Sequence, residues 1–348
     1  MPRKTAVFKD PLFLEHDPGY GHPESPNRLQ VIHELLAQPE RADGYLFPAF
    51  GPADDTILAL NHTRPHIARV ESTAGKTFAT LDPDTHTSPQ SAAAARLAAG
   101  AVVEATRLVV AGEVDNGFAL VRPPGHHAEA DHTSGFCLYN NIAIAAHYAL
   151  RQLGLERVLV VDWDLHHGNG TQHSFYDTDQ VLYFSTHQYP YFPGSGALAE
   201  TGSGRGEGYT VNVPLPGGQD DHAYARIFNE LLAPVARQYR PQLILVSAGF
   251  DISFGDPLGM MTVTDTGFAY LTGVLRALAD ECCDGRLVLA LEGGYYLEGL
   301  RTGVAAVLRE LRTGKGLADG ARQALGEAAP PLIALEKAKD VAKKYWSL

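Results

Sequence analysis

Short apolar runs that end abruptly in polar, glycine-rich turns constrain this chain more than any other feature. Residues 117–121, 158–161, 181–185, 209–213, 243–247 and 287–291 are long enough for buried strands and too short for helices. Around them lie amphipathic or alanine-rich stretches at 26–36, 89–110, 141–153, 222–239, 265–282 and 297–311. Ser25-Pro26 and Ser88-Pro89 each set a capping hydroxyl before a proline at the first helical position. Alternation of this kind predicts a mainly parallel sheet covered by helices on both faces. No low-complexity linker or internal repeat divides the chain. Residues 1–348 are therefore expected to form one domain, with a core at about 8–311 and a helical tail at about 312–348. That tail holds an Ala-Ala-Pro-Pro stretch at 328–331 and a final charged helix.

Ligands of such sheets gather beyond the carboxyl ends of the strands. After 158–161 comes Asp162-Trp-Asp164-Leu-His166-His167-Gly-Asn169-Gly. Strand side chains alternate with period two, so Asp162, Asp164 and His166 point to one side as the strand frays into its loop. The run after 117–121 reads Arg122-Pro-Pro-Gly-His126-His127, that after 243–247 ends in Asp251, and that after 287–291 reads Glu292-Gly-Gly-Tyr295. Asp164, His166 and Asp251 would give three protein ligands and an open position, the arrangement of catalytic zinc. Structural zinc favours four ligands and thiolates, and Cys137, in Gly135-Phe136-Cys137, reads as packing. The His126-His127 pair suits proton transfer near neutral pH. Tyr295, preceded by two glycines, can donate to a developing oxyanion.

Composition narrows the class. Hydrophobic content of 45% and charged content of 20% are ordinary globular values and exclude a disordered chain. No apolar run approaches the roughly 18 residues of a membrane span, and the N-terminus lacks the apolar core of a secretion signal. A soluble, cytoplasmic protein is expected, and three cysteines without a disulfide framework fit a reducing compartment. A net charge of −12 speaks against direct nucleic-acid binding. An acidic surface can favour cationic substrates. Oligomeric state is not legible, and a homo-oligomer stays open.

Arg122-Pro-Pro-Gly-His-His, Gly135-Phe-Cys-Leu-Tyr-Asn-Asn, Asp162-Trp-Asp-Leu-His-His-Gly-Asn-Gly-Thr-Gln, Ala248-Gly-Phe-Asp with Asp256-Pro-Leu258, and Leu291-Glu-Gly-Gly-Tyr resemble the zinc-dependent histone deacetylases. The likeness is greatest to the class II-like branch with its bacterial histone deacetylase-like amidohydrolases, and runs from about His22 to about Leu311. It implies an arginase/deacetylase-like three-layer α/β/α sandwich around a mainly parallel eight-stranded sheet. It also implies one catalytic zinc on Asp164, His166 and Asp251, and hydrolysis of an acylated lysine or similar amine with inhibition by hydroxamates. His126 and His127 become the tandem catalytic histidines, backed by Asp162 and Asn169, and Tyr295 the oxyanion donor. Gly135, Phe136 and Phe192 would line a narrow tunnel with Leu258 at its mouth, and Arg28 would stand near an inner cavity for the released acid. Relatives also bind potassium, which here would use Asp162, Asp164, His166, Ser185 and the backbone of Thr186. A second potassium would use backbone oxygens at Phe175, Thr178, Val181 and Tyr209.

Three rival readings can be set against these residues. An acetylpolyamine amidohydrolase resembles this chain in fold and machinery, but such enzymes place a glutamate at the tunnel mouth where this sequence has Leu258. A silent acyl-lysine-binding module would be expected to lose Tyr295 or a metal ligand, and all are present. An arginase-like ureohydrolase would need a second metal and more carboxylates than the His126-His127 segment offers. Acyl preference and physiological substrate are beyond sequence reasoning.

Overall fold

A computed structural model describes residues 2–317, 319–326 and 331–348. Ten strands are present among the described residues: β1 (Thr5–Phe8), β2 (Tyr45–Leu46), β3 (Ala79–Asp82), β4 (Thr85–Thr87), β5 (Asn116–Ala119), β6 (Val158–Asp162), β7 (Val181–Gln188), β8 (Thr210–Leu215), β9 (Leu243–Ala248) and β10 (Leu287–Leu291). Eight form one sheet in the order β2-β1-β5-β10-β9-β6-β7-β8, and every pairing in it is parallel. β3 and β4 make a separate antiparallel hairpin. Helices complete an α/β/α sandwich of the arginase/deacetylase-like kind. The central strands β6, β9 and β10 are buried along their whole length. Strands covered on both faces need no polar side, which is why they read as unbroken apolar runs.

The six expected strands occur as β5 to β10, with ends displaced by a few residues. β1 and β2 were not expected. β1 is four residues long and flanked by Lys4 and Lys9, and β2 has only two residues, so neither carries a periodic signal. Long helices occupy Asn27–Leu36, Ser91–Val110, Asn141–Arg151, Asp265–Cys282 and Leu297–Thr313. The stretch at 222–239 is helical but interrupted: Asp221–Ile227 and Ala233–Tyr239 flank a π turn at Phe228–Leu232. Pro234 has no amide hydrogen to offer the carbonyl four residues back, so the ladder widens there.

The serine caps differ from expectation. Ser25 and Ser88 do not cap; the helices begin at Asn27 and Ser91, without a side-chain cap. Ser88 instead donates to the Glu15 carbonyl at 2.9 Å and accepts from the Asp17 amide at 3.0 Å, joining two distant segments. The final helix, Ile333–Ala342, buries Leu335, Ala338 and Ala342 and packs on edge strand β8, and Trp346 Nε1 beyond it donates to the Gly208 carbonyl at 3.0 Å. Of the Ala-Ala-Pro-Pro stretch, residues 328–330 lie outside the described residues.

Sheet order is what positions the site. β5, β10, β9 and β6 are neighbours although they come first, last, fifth and second among the six expected strands. With strands about 4.8 Å apart, their four carboxyl ends fall within roughly 15 Å.

Gly100 shows how tightly the outer layer is set. A Cβ there would stand 1.9 Å from the Gly51 carbonyl oxygen and 2.9 Å from the Ala53 nitrogen, both backbone atoms. Alanine is the better helix former by about 1 kcal/mol, yet Gly100→Ala is expected to destabilise the fold by about 1–3 kcal/mol through overpacking. A lower urea midpoint at unchanged slope would show it; a raised midpoint would contradict it.

Candidate active site

The strand ends after β6 and β9 carry three side chains that converge. One ligating atom from each of Asp164, His166 and Asp251 lies within 4.8 Å of the others, and all three residues are buried. His166 Nδ1 is 3.2 Å from Asp164 Oδ1 and 3.1 Å from Asp251 Oδ2. Backbone amides hold the carboxylates in place: Gly293 N donates to Asp164 at 2.8 Å and Leu165 N to Asp251 at 2.9 Å.

The residues fit a divalent cation on two grounds. A Cβ on Gly293 would fall 2.3 Å from Asp251 Oδ2 and 2.6 Å from Asp164 Oδ2, so only glycine lets the backbone approach the paired carboxylates. The charge balance points the same way. Burial and the neighbouring Asp164 charge push Asp251 up to about 7. Burial opposes a charged His166, but hydrogen bonds to Asp164 and Asp251 prevail and push it up to about 9. Negative charge there exceeds what the protein compensates.

Two imidazoles flank this cluster, 4.0 Å apart between ring centroids. His126 Nδ1 meets Asp162 Oδ2 at 3.1 Å, and the Tyr183 hydroxyl donates to the same oxygen at 3.0 Å. His127 Nδ1 meets Asn169 Oδ1 at 2.7 Å. Burial disfavours charge on both rings. In His126 the Asp164 and Asp162 carboxylates outweigh burial and raise it to about 10. His127 faces a neutral amide, and burial with repulsion from His126 and His166 holds it well below the ordinary histidine range. A cation on Asp164 would weaken one attraction on His126 and leave Asp162 as its partner.

A cleft of about 300 Å³ opens over these groups. His127, His166 and Tyr295 line it together with the expected tunnel residues Gly135, Phe136, Phe192 and Leu258. Gly135 has φ +52°, and a Cβ there would stand 2.4 Å from the His127 ring. The Phe192 ring lies 5.1 Å from His127, and Phe136 lies 6.1 Å from Tyr295. Burial raises the Tyr295 phenol well above its ordinary value, so it is a neutral donor at physiological pH.

Arg28 does not line the cleft. It is fully buried behind Tyr295, its guanidinium carbon 4.9 Å from the ring centroid, and donates to the Gly294 carbonyl at 2.6 Å, the Glu292 carbonyl at 2.5 Å and Glu24 Oε1 at 2.8 Å. Around the suggested potassium positions, Ser185 pairs in register with Asp162, and Thr186 beside it is fully buried. Near the start of β7, Phe175 and Tyr209 offer carbonyls to the amides of Thr178 and Tyr183, and Val181 opens the strand.

Several site residues escaped sequence reasoning. Asp256 Oδ2 accepts from the amides of Tyr295 at 2.7 Å and Tyr296 at 3.0 Å, while its Oδ1 accepts from Leu258 N at 2.9 Å. Glu292, fully buried, accepts from the amides of Gly125 at 2.6 Å and His126 at 3.2 Å, tying the histidine loop to the tyrosine loop. Asp84 and Tyr191 also line the cleft. Asp84 is pushed up to about 6 by burial and by Asp82 beside it. Asp256 and Glu292 lie inside motifs quoted above, which by themselves give them no role; Asp84 and Tyr191 carry no local signal.

The histone deacetylase domain family matches residues 22–311. A probable deacetylase of Archaeoglobus fulgidus is 41% identical over 300 residues, 85% of this chain and 82% of that protein. Histone deacetylase 15 of Arabidopsis thaliana is 41% identical over 316 residues, 88% of this chain and 56% of that one. Polyamine deacetylase HDAC10 of Mus musculus is 39% identical over 330 residues, 90% of this chain and 46% of that one. The chain spans about half the length of these plant and mouse relatives. The crystal structure of the HDA15 HD domain matches with a TM-score of 0.90 at 39% identity, covering 99% of this chain and 95% of that chain. These relatives support an enzyme that hydrolyses amides. The chain belongs to the histone deacetylase family, and its motifs are consistent with the class II-like branch.

Gly293→Ala is expected to abolish metal retention while leaving the fold intact, because the added methyl displaces both carboxylates. Metal content per chain and circular dichroism would test this; full metal content in a folded variant would rule it out.

Proposed function

We propose that the protein is a zinc-dependent deacylase acting on acetylated or related acylated lysine side chains or similar amines. The observation that carries this reading is the convergence of Asp164, His166, Asp251, His126, His127 and Tyr295 beneath one cleft. Asp164, His166 and Asp251 would hold the zinc, which when bound supplies Lewis acidity and a water of lowered pKa.

The chain's own groups divide the remaining work. Phe136 and Phe192 flank a neutral acyl-lysine stem and exclude water around it, which suits an amine whose charge acylation has removed. Neutral His127 takes a proton from the attacking water through Nε2, since its Nδ1 is engaged by Asn169. Tyr295 donates to the oxygen on which negative charge develops. His126, paired with Asp162, stabilises that charge electrostatically, and the imidazolium formed at His127 returns a proton to the departing amine. The freed amine becomes a cation poorly held by an apolar tunnel. Potassium at the two backbone-rich positions would be structural.

A second reading has one observation in its favour. Asp84 puts a carboxylate in the same cleft as Leu258, where a second ammonium of an acetylated polyamine could be met. Acyl-lysine remains the better reading because Leu258, like Phe136 and Phe192, keeps much of the cleft lining apolar.

Tyr295→Phe is expected to lower kcat by roughly 10²–10³ with little change in KM, the effect of one lost oxyanion donor. Unchanged turnover would reassign Tyr295 to packing. Chelation should abolish hydrolysis of a fluorogenic acetyl-lysine amide, zinc should restore it, and hydroxamates should compete with substrate; activity in metal-free protein would refute the reading. Leu258→Glu should raise, and Asp84→Asn lower, turnover of acetylpolyamine relative to acetyl-lysine peptide. If neither ratio moves, the mouth does not set selectivity.

A further inference from the structure

His127 can act as a base only if its Nε2 carries a lone pair, which requires the proton to sit on Nδ1. Nothing in the His127–Asn169 contact itself secures that. The two groups meet at 2.7 Å, and an asparagine amide can face an imidazole nitrogen with its oxygen or, turned over, with its NH₂. The first face demands a proton on Nδ1. The second demands it on Nε2 and would remove the base.

Glu129 breaks the symmetry. Its Oε1 accepts from Asn169 Nδ2 at 2.6 Å. With Glu129 Oε1 as the acceptor, the amide turns its NH₂ toward Glu129 and its oxygen toward His127. Asn169 Nδ2 also reaches the His127 carbonyl at 3.3 Å, satisfying its second hydrogen in the same orientation. Glu129 is buried and held: its amide donates to the His132 carbonyl at 3.0 Å, and His62 Nδ1 meets its carbonyl at 2.9 Å. His173, one helical turn beyond Asn169, places Nδ1 2.9 Å from the same Oε1. No step of the reaction proposed above uses this carboxylate.

We infer that Glu129 is a positioning residue that fixes the amide orientation of Asn169 and through it the base-competent tautomer of His127. This rests on the deacylase reading for its consequence but not for its geometry. The chain of constraint runs from carboxylate to amide to imidazole, and each link follows from which atoms can donate. It also explains why a neutral amide suffices beside His127: orientation comes from the charge one residue further out.

The arrangement has a specific corollary. Asn169→Asp alone would set two carboxylates against each other at the Glu129 contact. Glu129→Lys alone would present a donor, turn the Asn169 amide over and move the His127 proton to Nε2. Together the two changes restore complementarity, because the new ammonium donates to one oxygen of the new carboxylate while the other oxygen accepts from His127 Nδ1.

The test is a double-mutant cycle on the intact, metal-loaded enzyme, with acetyl-lysine peptide turnover and histidine ring ¹⁵N–¹H spectra as readouts. Glu129→Lys should lower kcat at least about a hundredfold, toward the roughly 10⁴ that a mis-set catalytic tautomer can cost, with KM held. The His127 resonances, identified by their loss in His127→Gln, should change tautomer. The pair Glu129→Lys with Asn169→Asp should recover most of the loss, a coupling that a merely structural role would not produce. Glu129→Gln, which still offers an acceptor but also a donor, should fold normally and show a mixture of tautomers with an intermediate kcat. An unchanged tautomer in Glu129→Lys and Glu129→Gln, or additive losses in the pair, would overturn the inference. Absence of turnover in the unmodified enzyme would instead overturn the deacylase reading, while the ring spectra would still decide the tautomer.

Discussion

Four carboxylates, Asp162, Asp164, Asp251 and Glu292, are buried together at the end of a parallel sheet, and the rest of the site is arranged around their charge. A buried carboxylate without partners is costly enough to take up a proton, so each must be met by donors or cations. Asp162 has His126 and the Tyr183 hydroxyl. Glu292 has two backbone amides and the Ser247 hydroxyl. Asp164 and Asp251 also take backbone amides but share one imidazole between two carboxylates, which leaves a deficit suited to a metal ion.

Further from the centre the same logic is applied with fixed cations. Glu24 is fully buried between Arg122 and Arg28 and is held well below the usual carboxylate range: burial pushes it up, and Arg122, His16 and Arg28 more than reverse that. The pair anchors what carries Tyr295, because Arg28 directs its remaining donors to the carbonyls of Glu292 and Gly294. On the opposite wall, Glu200 accepts from Gln172 at 2.6 Å and from the amides of Gly196 and Ala197, and His167 meets Ser195 at 2.7 Å. These contacts fasten the segment bearing Tyr191 and Phe192 to the short helix bearing Asn169. The candidate site groups thus sit on loops, but loops bound at both ends to the sheet.

Much of the centre was legible because its residues are contiguous. Asp162, Asp164 and His166 fall at alternate positions at a strand end, and His126 and His127 are adjacent, so local pattern alone drew attention to them. Strands such as β6, β9 and β10 were legible because a strand buried on both faces is apolar nearly throughout. β1 and β2 were not, since pairing with a neighbour and not their own composition makes them strands. Ser25 and Ser88 misled because a cap depends on where the hydroxyl points, and the Glu15 carbonyl and the Asp17 amide engage Ser88 instead.

The chain's order of residues by itself determined the chemistry available: imidazoles, carboxylates and a phenol following apolar runs, with glycines where backbones must crowd. Only the tertiary structure decided which of these meet. The neighbours β5, β10, β9 and β6 are distant in sequence, and their order comes from helical crossovers that no local pattern encodes. Glu129 and Asn169, 40 residues apart, and Glu292 and Gly125, 167 apart, acquire their roles through hydrogen bonds of 2.6 Å. Such contacts follow from packing, because a donor and an acceptor are selected for each other only after folding has removed water from both.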